Sequence, residues 1–131
     1  MAATSKDQFV CVVDDDEAVR DSTQMLLDVY GFKARTYPGA REFLAEFDAA
    51  RTGCLILDIH MPEMTGVELL SLLRTRGIHT PAIVVSGQND PVLGEILTRS
   101  GALAILNKPV NEDELMRLVE QALAVPSSRS P

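Results

Sequence analysis

The stretch from Val10 to Arg20, VCVVDDDEAVR, shows the unit from which this fold is built. Its first four residues are apolar and mostly β-branched, which favours a β-strand covered on both faces. Three adjacent carboxylates, residues 14 to 16, follow at once, and like charges this close repel by roughly 1 to 3 kcal/mol per pair. Such crowding indicates a bound hard cation or, for Asp16 and Glu17, the start of a helix, where acidic residues are common.

The same unit recurs along the chain. Further apolar runs of strand length lie at Cys54 to Leu57, Ala82 to Val85 and Ala102 to Leu106, and a weaker one at Lys33 to Tyr37. Strands alternating with helices predict an α/β fold, with right-handed crossovers and a parallel sheet covered on both faces. Such a sheet binds ligands beyond the carboxyl ends of its strands.

Between these runs the apolar residues have helical spacing. Three predicted faces consist of Ala18, Ser22, Met25, Leu26 and Val29; of Val67, Leu69, Leu70 and Leu73; and of Leu115, Leu118, Val119 and Ala122. Two shorter helices are predicted at Ala40 to Phe47 and Pro91 to Ser100, the second capped by Asp90. Gly31, Gly77 and Gly101 stand where helices should end.

Composition limits the classes of function. A chain of 131 residues fits one domain, and its net charge of −7 argues against direct nucleic-acid binding. We expect a cytoplasmic protein without membrane contact, because no apolar run approaches the roughly 20 residues of a membrane span and no signal peptide is evident. Cys11 and Cys54 lie in predicted strands and are expected to be buried free thiols, and His60 and His79 are too few for a usual zinc site.

Polar residues stand at the carboxyl end of most apolar runs. They are Asp14 and Asp15 after the first, Asp58 after the third, Ser86 after the fourth, and Asn107, Lys108 and Pro109 after the fifth. Each alone is explained by an exposed charge, a turn or a helix cap. Their coincidence at one edge of a parallel sheet predicts a functional site.

The segments VVDDDEAVR, LILDIHMPEMTGVELL, IVVSG and ILNKP, in this order, resemble the receiver domain of two-component response regulators. The resemblance covers residues 9–124, with residues 1–8 as an N-terminal tail and 125–131 as a C-terminal tail or the start of a linker. It is nearest to receivers followed by a helix-turn-helix DNA-binding domain. It implies a flavodoxin-like, doubly wound fold with five parallel strands in the order 2-1-3-4-5 and helices on both faces.

The resemblance also implies roles. Asp58 would accept a phosphoryl group from a sensor histidine kinase or a phosphotransfer protein, and the change would switch a surface that binds a partner, an output domain or a second copy as a homodimer. Mg²⁺ would be held by Asp14, Asp15, Asp58 and the backbone carbonyl of His60. Lys108 would offset the phosphoryl charge, Ser86 would hydrogen-bond a phosphoryl oxygen, and the bond before Pro109 would be cis.

Some positions depart from the family pattern. Ile105 stands where most receivers carry an aromatic switch residue, and isoleucine is stiff at χ1, so either the switch differs or Ile105 simply packs in its strand. His60 and Gln88 would flank the route of attacking water and modulate dephosphorylation. Leu93, Leu97 and Met116 are expected either in the core or on an exposed partner face.

Two alternatives remain at this point. The first is a Mg²⁺-dependent phosphohydrolase with Asp58 as nucleophile, although His60 stands where such enzymes usually carry a second acid. The second is a receiver-like binding module that signals without phosphorylation, prompted by Ile105. Under the leading hypothesis the chain is no enzyme beyond its own phosphorylation and dephosphorylation.

Overall fold

Strands and helices alternate from one end of the described chain to the other. The computed structural model describes residues 8–87 and 91–124, and only the backbone of residues 91–93. The elements are β1 (Phe9–Val13), α1 (Glu17–Val29), β2 (Lys33–Tyr37), α2 (Ala40–Glu46), β3 (Thr52–Asp58), α3 (Gly66–Thr75), β4 (Ala82–Ser86), α4 (Pro91–Arg99), β5 (Ala104–Asn107) and α5 (Glu112–Ala124). All strand pairs are parallel, in the order β2-β1-β3-β4-β5. The predicted fold class and strand order are confirmed.

The sheet separates two hydrophobic cores. Alternate residues of one strand point to opposite faces, so Val12 and Ile56 face α1 and α5, whereas Val13 and Leu57 face α2, α3 and α4. The central strands β3 and β4 are buried along their whole length, whereas the edge strands β2 and β5 are partly exposed. Burial on both faces explains why the central strands read as continuous apolar runs.

Helix α1 packs differently from the prediction. Of its predicted inner face, Leu26 is partly buried, but Ala18, Ser22, Met25 and Val29 are exposed, Met25 by 67% and Val29 by 76%. The inward stripe is Val19, Thr23, Leu26 and Leu27. The two stripes lie one residue apart, about 100° around the helix axis, and both have helical spacing, so the spacing could not choose between them.

Two of the three residues considered for an exposed face belong to the core. Leu97 is 0% exposed and Met116 is 2% exposed, so of the two alternatives the core is confirmed for both. Leu97 packs in the α2–α3–α4 core. Met116 packs in the α1–α5 core, because the buried face of α5 is wider than the predicted stripe. The side chain of Leu93 lies outside the described residues, as do Asp90 and, except for Gln8, both predicted tails.

Local signals place the helix ends. Asp16 caps α1 through its side chain, and Thr65 and Glu68 form a reciprocal capping box at the start of α3. Gly31, Gly77 and Gly101 have positive φ where α1, α3 and α4 end, as predicted. Cys11 and Cys54 are buried free thiols, also as predicted. Within the described part of the chain, every helix is too short or too polar to cross a bilayer.

Candidate functional site

The register of the sheet brings the strand ends together. Val13 of β1 pairs with Leu57 of β3, so Asp14 and Asp58 follow side by side on neighbouring strands. Asp58 pairs with Val85, and Ser86 in turn pairs with Asn107. Asp14, Asp58 and Ser86 are buried, 4%, 4% and 2% exposed, whereas Asp15 is exposed.

Three carboxylates meet at this edge. Asp14, Asp15 and Asp58 each offer an oxygen, and these oxygens all lie within 4.8 Å of one another. Carboxylate oxygens are the donors that hard divalent cations prefer, and a spacing below 5 Å suits one shared ion. The three carboxylates predicted from the sequence to hold a cation therefore converge.

Backbone N–H groups orient the two buried carboxylates. The Asp16 N–H donates to Asp14 Oδ1 at 2.9 Å, and the His60 N–H donates to Asp58 Oδ1 at 3.2 Å. The Arg20 guanidinium donates to the Asp14 carbonyl oxygen at 2.8 Å and ties α1 to the acidic loop. Sequence reasoning missed Arg20, since an arginine in the first turns of an amphipathic helix carries no distinctive signal.

Lys108 supplies the positive charge of the site. Its Nζ lies 3.6 Å from Asp58 Oδ1, and its side chain is 37% exposed. The Lys108 N–H donates to the Ser86 carbonyl oxygen at 2.8 Å, which joins the end of β4 to the segment after β5. The Lys108–Pro109 peptide bond is cis, as predicted.

Asp14 shows the electrostatic cost of the cluster. Burial raises the pKa of Asp14, and the neighbouring charges of Asp58 and Asp15 raise it further, whereas the Asp16 N–H and the Lys108 ammonium act in the opposite direction. The carboxylate is thus held in a place that disfavours its charge. A cation bound among the three acids would relieve this cost.

Close backbone packing supports the loop that carries Asp58. A Cβ at Gly66 would overlap the Asp58 carbonyl oxygen, and the Gly66 N–H donates to the Ile59 carbonyl oxygen at 3.0 Å. The first residue of α3 therefore lies directly against the strand end. The signal in the sequence was the Thr65-Gly66 pair at the start of the helix.

The remaining predicted residues lie around this centre. Ile105 is partly buried in β5, pairs with Val84 and packs against the α2–α3–α4 core. His60 is exposed beside Asp58. Gln88 lies outside the described residues.

Comparison with known proteins identifies the family. The profile of the response regulator receiver domain matches residues 10–120. The chain belongs to the response regulator receiver domain family. The resemblance stated from the sequence motifs is thereby confirmed.

Individual receiver-containing relatives agree. The transcriptional regulatory protein FixJ of Bradyrhizobium diazoefficiens is 33% identical over 92% of this chain and 60% of its own length. A crystal structure of FixJ-N matches with a TM-score of 0.82 and 34% identity over 91% of this chain and 95% of that one. The response regulator StyR matches with a TM-score of 0.88 and 33% identity over 94% of this chain and 62% of that one.

The matched relatives extend beyond the receiver. This chain spans 60% of the length of the FixJ relative. The FixJ relative and a C4-dicarboxylate transport regulator of Rhodobacter capsulatus are both transcriptional regulatory proteins. The predicted likeness to receivers of transcriptional regulators is therefore confirmed.

Proposed function

We propose that this receiver domain accepts a phosphoryl group on Asp58 from a sensor histidine kinase or a phosphotransfer protein. The observation that carries the proposal is the position of Asp58, a buried carboxylate within 4.8 Å of the oxygens of Asp14 and Asp15 and 3.6 Å from Lys108 Nζ. An Asp58 oxygen bonds to phosphorus while the bond between phosphorus and the donor's histidine nitrogen breaks. The product is an acyl phosphate, and the donor's histidine is left with an unphosphorylated imidazole.

The three carboxylates suit Mg²⁺, which is bound through a few carboxylates and keeps several waters. Asp14, Asp15, Asp58 and the His60 carbonyl would hold the ion, which supplies charge that neutralises phosphoryl oxygens. The burial and mutual repulsion that raise the Asp14 pKa favour occupancy by a cation.

Lys108 and Ser86 complete the proposed site. The Lys108 ammonium offsets negative charge on the transferred group from its position beside Asp58. The Ser86 hydroxyl donates to a phosphoryl oxygen once the group is present. The hydrogen bond from the Lys108 N–H to the Ser86 carbonyl oxygen holds the two residues next to each other.

Phosphorylation then shifts the population of a partner-binding face that includes β5 and α4. Ile105 is partly buried and packs against the α2–α3–α4 core, so its response differs from the rotation of an aromatic ring. His60 and Gln88 modulate the lifetime of the acyl phosphate.

The switched face binds a second domain or a second copy of the chain. The net charge of −7 disfavours nucleic-acid binding by this domain, so any such binding belongs to another domain. Residues 9–124 form the receiver, which works in the cytoplasm, and residues 125–131 continue as a tail or a linker.

The test is incubation with acetyl phosphate and Mg²⁺, followed by the intact mass of the protein. We expect a gain of one phosphoryl group that is absent in Asp58→Asn and retained in the control Asp28→Asn, an exposed carboxylate at the far end of α1. Sustained turnover of small phosphate esters would favour the phosphohydrolase. No gain at any Mg²⁺ concentration would favour a module that signals without phosphate.

A further inference from the structure

A cavity of about 250 Å³ lies between α1 and α5 and opens beside the carboxylate cluster. We refer to it as the α1–α5 cavity. Val12, Ile56 and Val85 of the sheet line it, and Val12 and Ile56 stand two residues before Asp14 and Asp58. An apolar cavity of about 150 Å³ accepts benzene, so this one has room for a ring with a short chain.

Most residues that line the α1–α5 cavity are apolar, and both helices contribute to the lining. Leu26 of α1 and Leu115 of α5 both line it, and Thr23 of α1 lines it with a short side chain. Thr23 belongs to the inward stripe of α1 and is partly buried. An apolar interior with a few polar groups at one end is the usual construction of a small-molecule site.

The charge of the lining is unbalanced. Asp14, Asp58 and Glu112 contribute three carboxylates, and Lys108 contributes one ammonium, a net charge of −2 when all are ionised. Glu112 is exposed in the first turn of α5. The potential at this end of the cavity therefore favours a cation over a neutral molecule or an anion.

We propose that the α1–α5 cavity binds a small organic cation, with an apolar body against Ile56, Leu26 and Leu115 and a primary ammonium among the carboxylates at its mouth. Asp14 and Asp58 belong both to this mouth and to the carboxylate cluster. The organic cation and a divalent ion therefore exclude each other electrostatically. Any effect on phosphorylation rests on the proposed function, but binding itself does not.

The experiment compares three probes of the same shape: phenethylamine, phenethyl alcohol and phenylacetate. Each is titrated into the ¹⁵N-labelled receiver without divalent ions, and amide shifts of α1, the segment after β5 and α5 are followed. We expect saturable shifts with phenethylamine and an affinity roughly tenfold or more above that of the alcohol, the scale of one hydrogen bond to a charged group. Mg²⁺ should lower the affinity for phenethylamine and leave the affinity for phenethyl alcohol unchanged.

Two variants locate the probe. Thr23→Leu extends an apolar side chain into the cavity and should reduce phenethylamine affinity at least several-fold, whereas Thr98→Leu on the exposed face of α4 should not. Glu112 is exposed, so Glu112→Gln leaves the core intact. This variant should lower the affinity for phenethylamine but not that for phenethyl alcohol.

Equal binding of all three probes, unchanged affinity in both Thr23→Leu and Glu112→Gln, or no saturable shift would overturn the proposal. These readouts involve no phosphoryl transfer. A negative result here therefore leaves the phosphoacceptor proposal intact, and a failed phosphorylation leaves this one intact.

Discussion

At the scale of single residues, Asp14 and Glu63 are held in states that their chemistry disfavours. Asp14 is a buried carboxylate among other carboxylates. Glu63 has φ of 70°, a left-handed conformation that costs a side-chain-bearing residue roughly 1 to 2 kcal/mol. Both lie in loops beside the site, where local strain commonly serves function.

Asp14→Asn should stabilise the receiver at neutral pH without divalent ions. The folded state raises the Asp14 pKa above its ordinary value of 3.8, so the wild type loses stability as pH rises from that value through the folded pKa. The amide avoids both the burial of a charge and the repulsion from Asp58 and Asp15, and we expect a gain of about 1 kcal/mol at pH near neutrality. Urea unfolding should show the gain shrinking toward acid pH. A gain that is constant with pH would contradict the explanation.

Glu63→Gly should raise the free energy of unfolding by about 0.5 kcal/mol, because relief of the left-handed strain exceeds the entropy that glycine adds to the unfolded chain. The ion pair between Glu63 and Arg41 is 3.1 Å long but exposed on both sides, so its loss matters little. The same substitution at Glu120, on the exposed face of α5, should instead cost about 1 kcal/mol. Urea unfolding of both variants tests the opposite signs, and a loss at Glu63 would show that the ion pair outweighs the strain.

At the scale of elements, two contacts position the helices against the strands that carry the site. Gly66 lets the start of α3 approach the backbone of Asp58, and Arg74 joins the ends of α3 and α4. Neither contact is visible as hydrophobic periodicity. Both depend on how closely two separate elements approach each other.

Gly66→Ala should destabilise the receiver by about 1 to 3 kcal/mol, since the added methyl group must displace either α3 or the Asp58 carbonyl. Gly94→Ala is the matched control. Gly94 lies within α4 with open space around it, and alanine should stabilise the helix there by about 0.5 to 1 kcal/mol. Thermal unfolding of the two variants should move in opposite directions, and equal shifts would refute the close-approach explanation.

Arg74→Lys should cost about 2 kcal/mol although the charge is kept. The Arg74 guanidinium donates to the carbonyl oxygens of Ser100, Ile78, Thr80 and Gly101, at 2.9, 2.9, 2.9 and 3.3 Å. A lysine ammonium is a compact group that cannot reach all four, and partly buried carbonyls would lose their donors. Arg76→Lys, on the neighbouring exposed turn, should change the free energy of unfolding by less than about 0.5 kcal/mol. Comparable stability of both variants would rule out the bridging role.

At the scale of the whole molecule, the parallel sheet concentrates ionisable groups at one edge. Parallel strands that end at one edge place carboxylates from distant segments within 4.8 Å of one another, so the folded state presents a cluster of three acids that the unfolded chain does not have. Any ion that binds only this assembled site must stabilise the entire fold.

Mg²⁺ should therefore raise the melting temperature, and removing it with a chelator should reverse the change. At a free concentration 100 times the dissociation constant, the expected gain is about 2.7 kcal/mol. Asp58→Asn should lose most of the Mg²⁺-dependent shift, while Asp28→Asn keeps it. Differential scanning calorimetry measures both, and an Asp58→Asn shift equal to that of the wild type would remove Asp58 from the ion site.

Much of this molecule could be predicted from the order of its residues. The alternation of strands and helices, the helix ends at Gly31 and Gly77 and the acids at the strand ends all follow from local patterns, because strand and helix periods and turn conformations are properties of short segments. Convergence of the acids then followed from the rule that parallel strands end at a shared edge.

Only the tertiary structure decided which stripe of α1 is buried, that Leu97 and Met116 lie in the core, and that Arg20 and Arg74 bind carbonyl groups of adjoining loops. It also decided that a cavity lies between α1 and α5. The reason is physical: neighbouring stripes of a helix satisfy the same spacing, and the choice between them, like the gaps left by packing, depends on how whole elements are placed against one another.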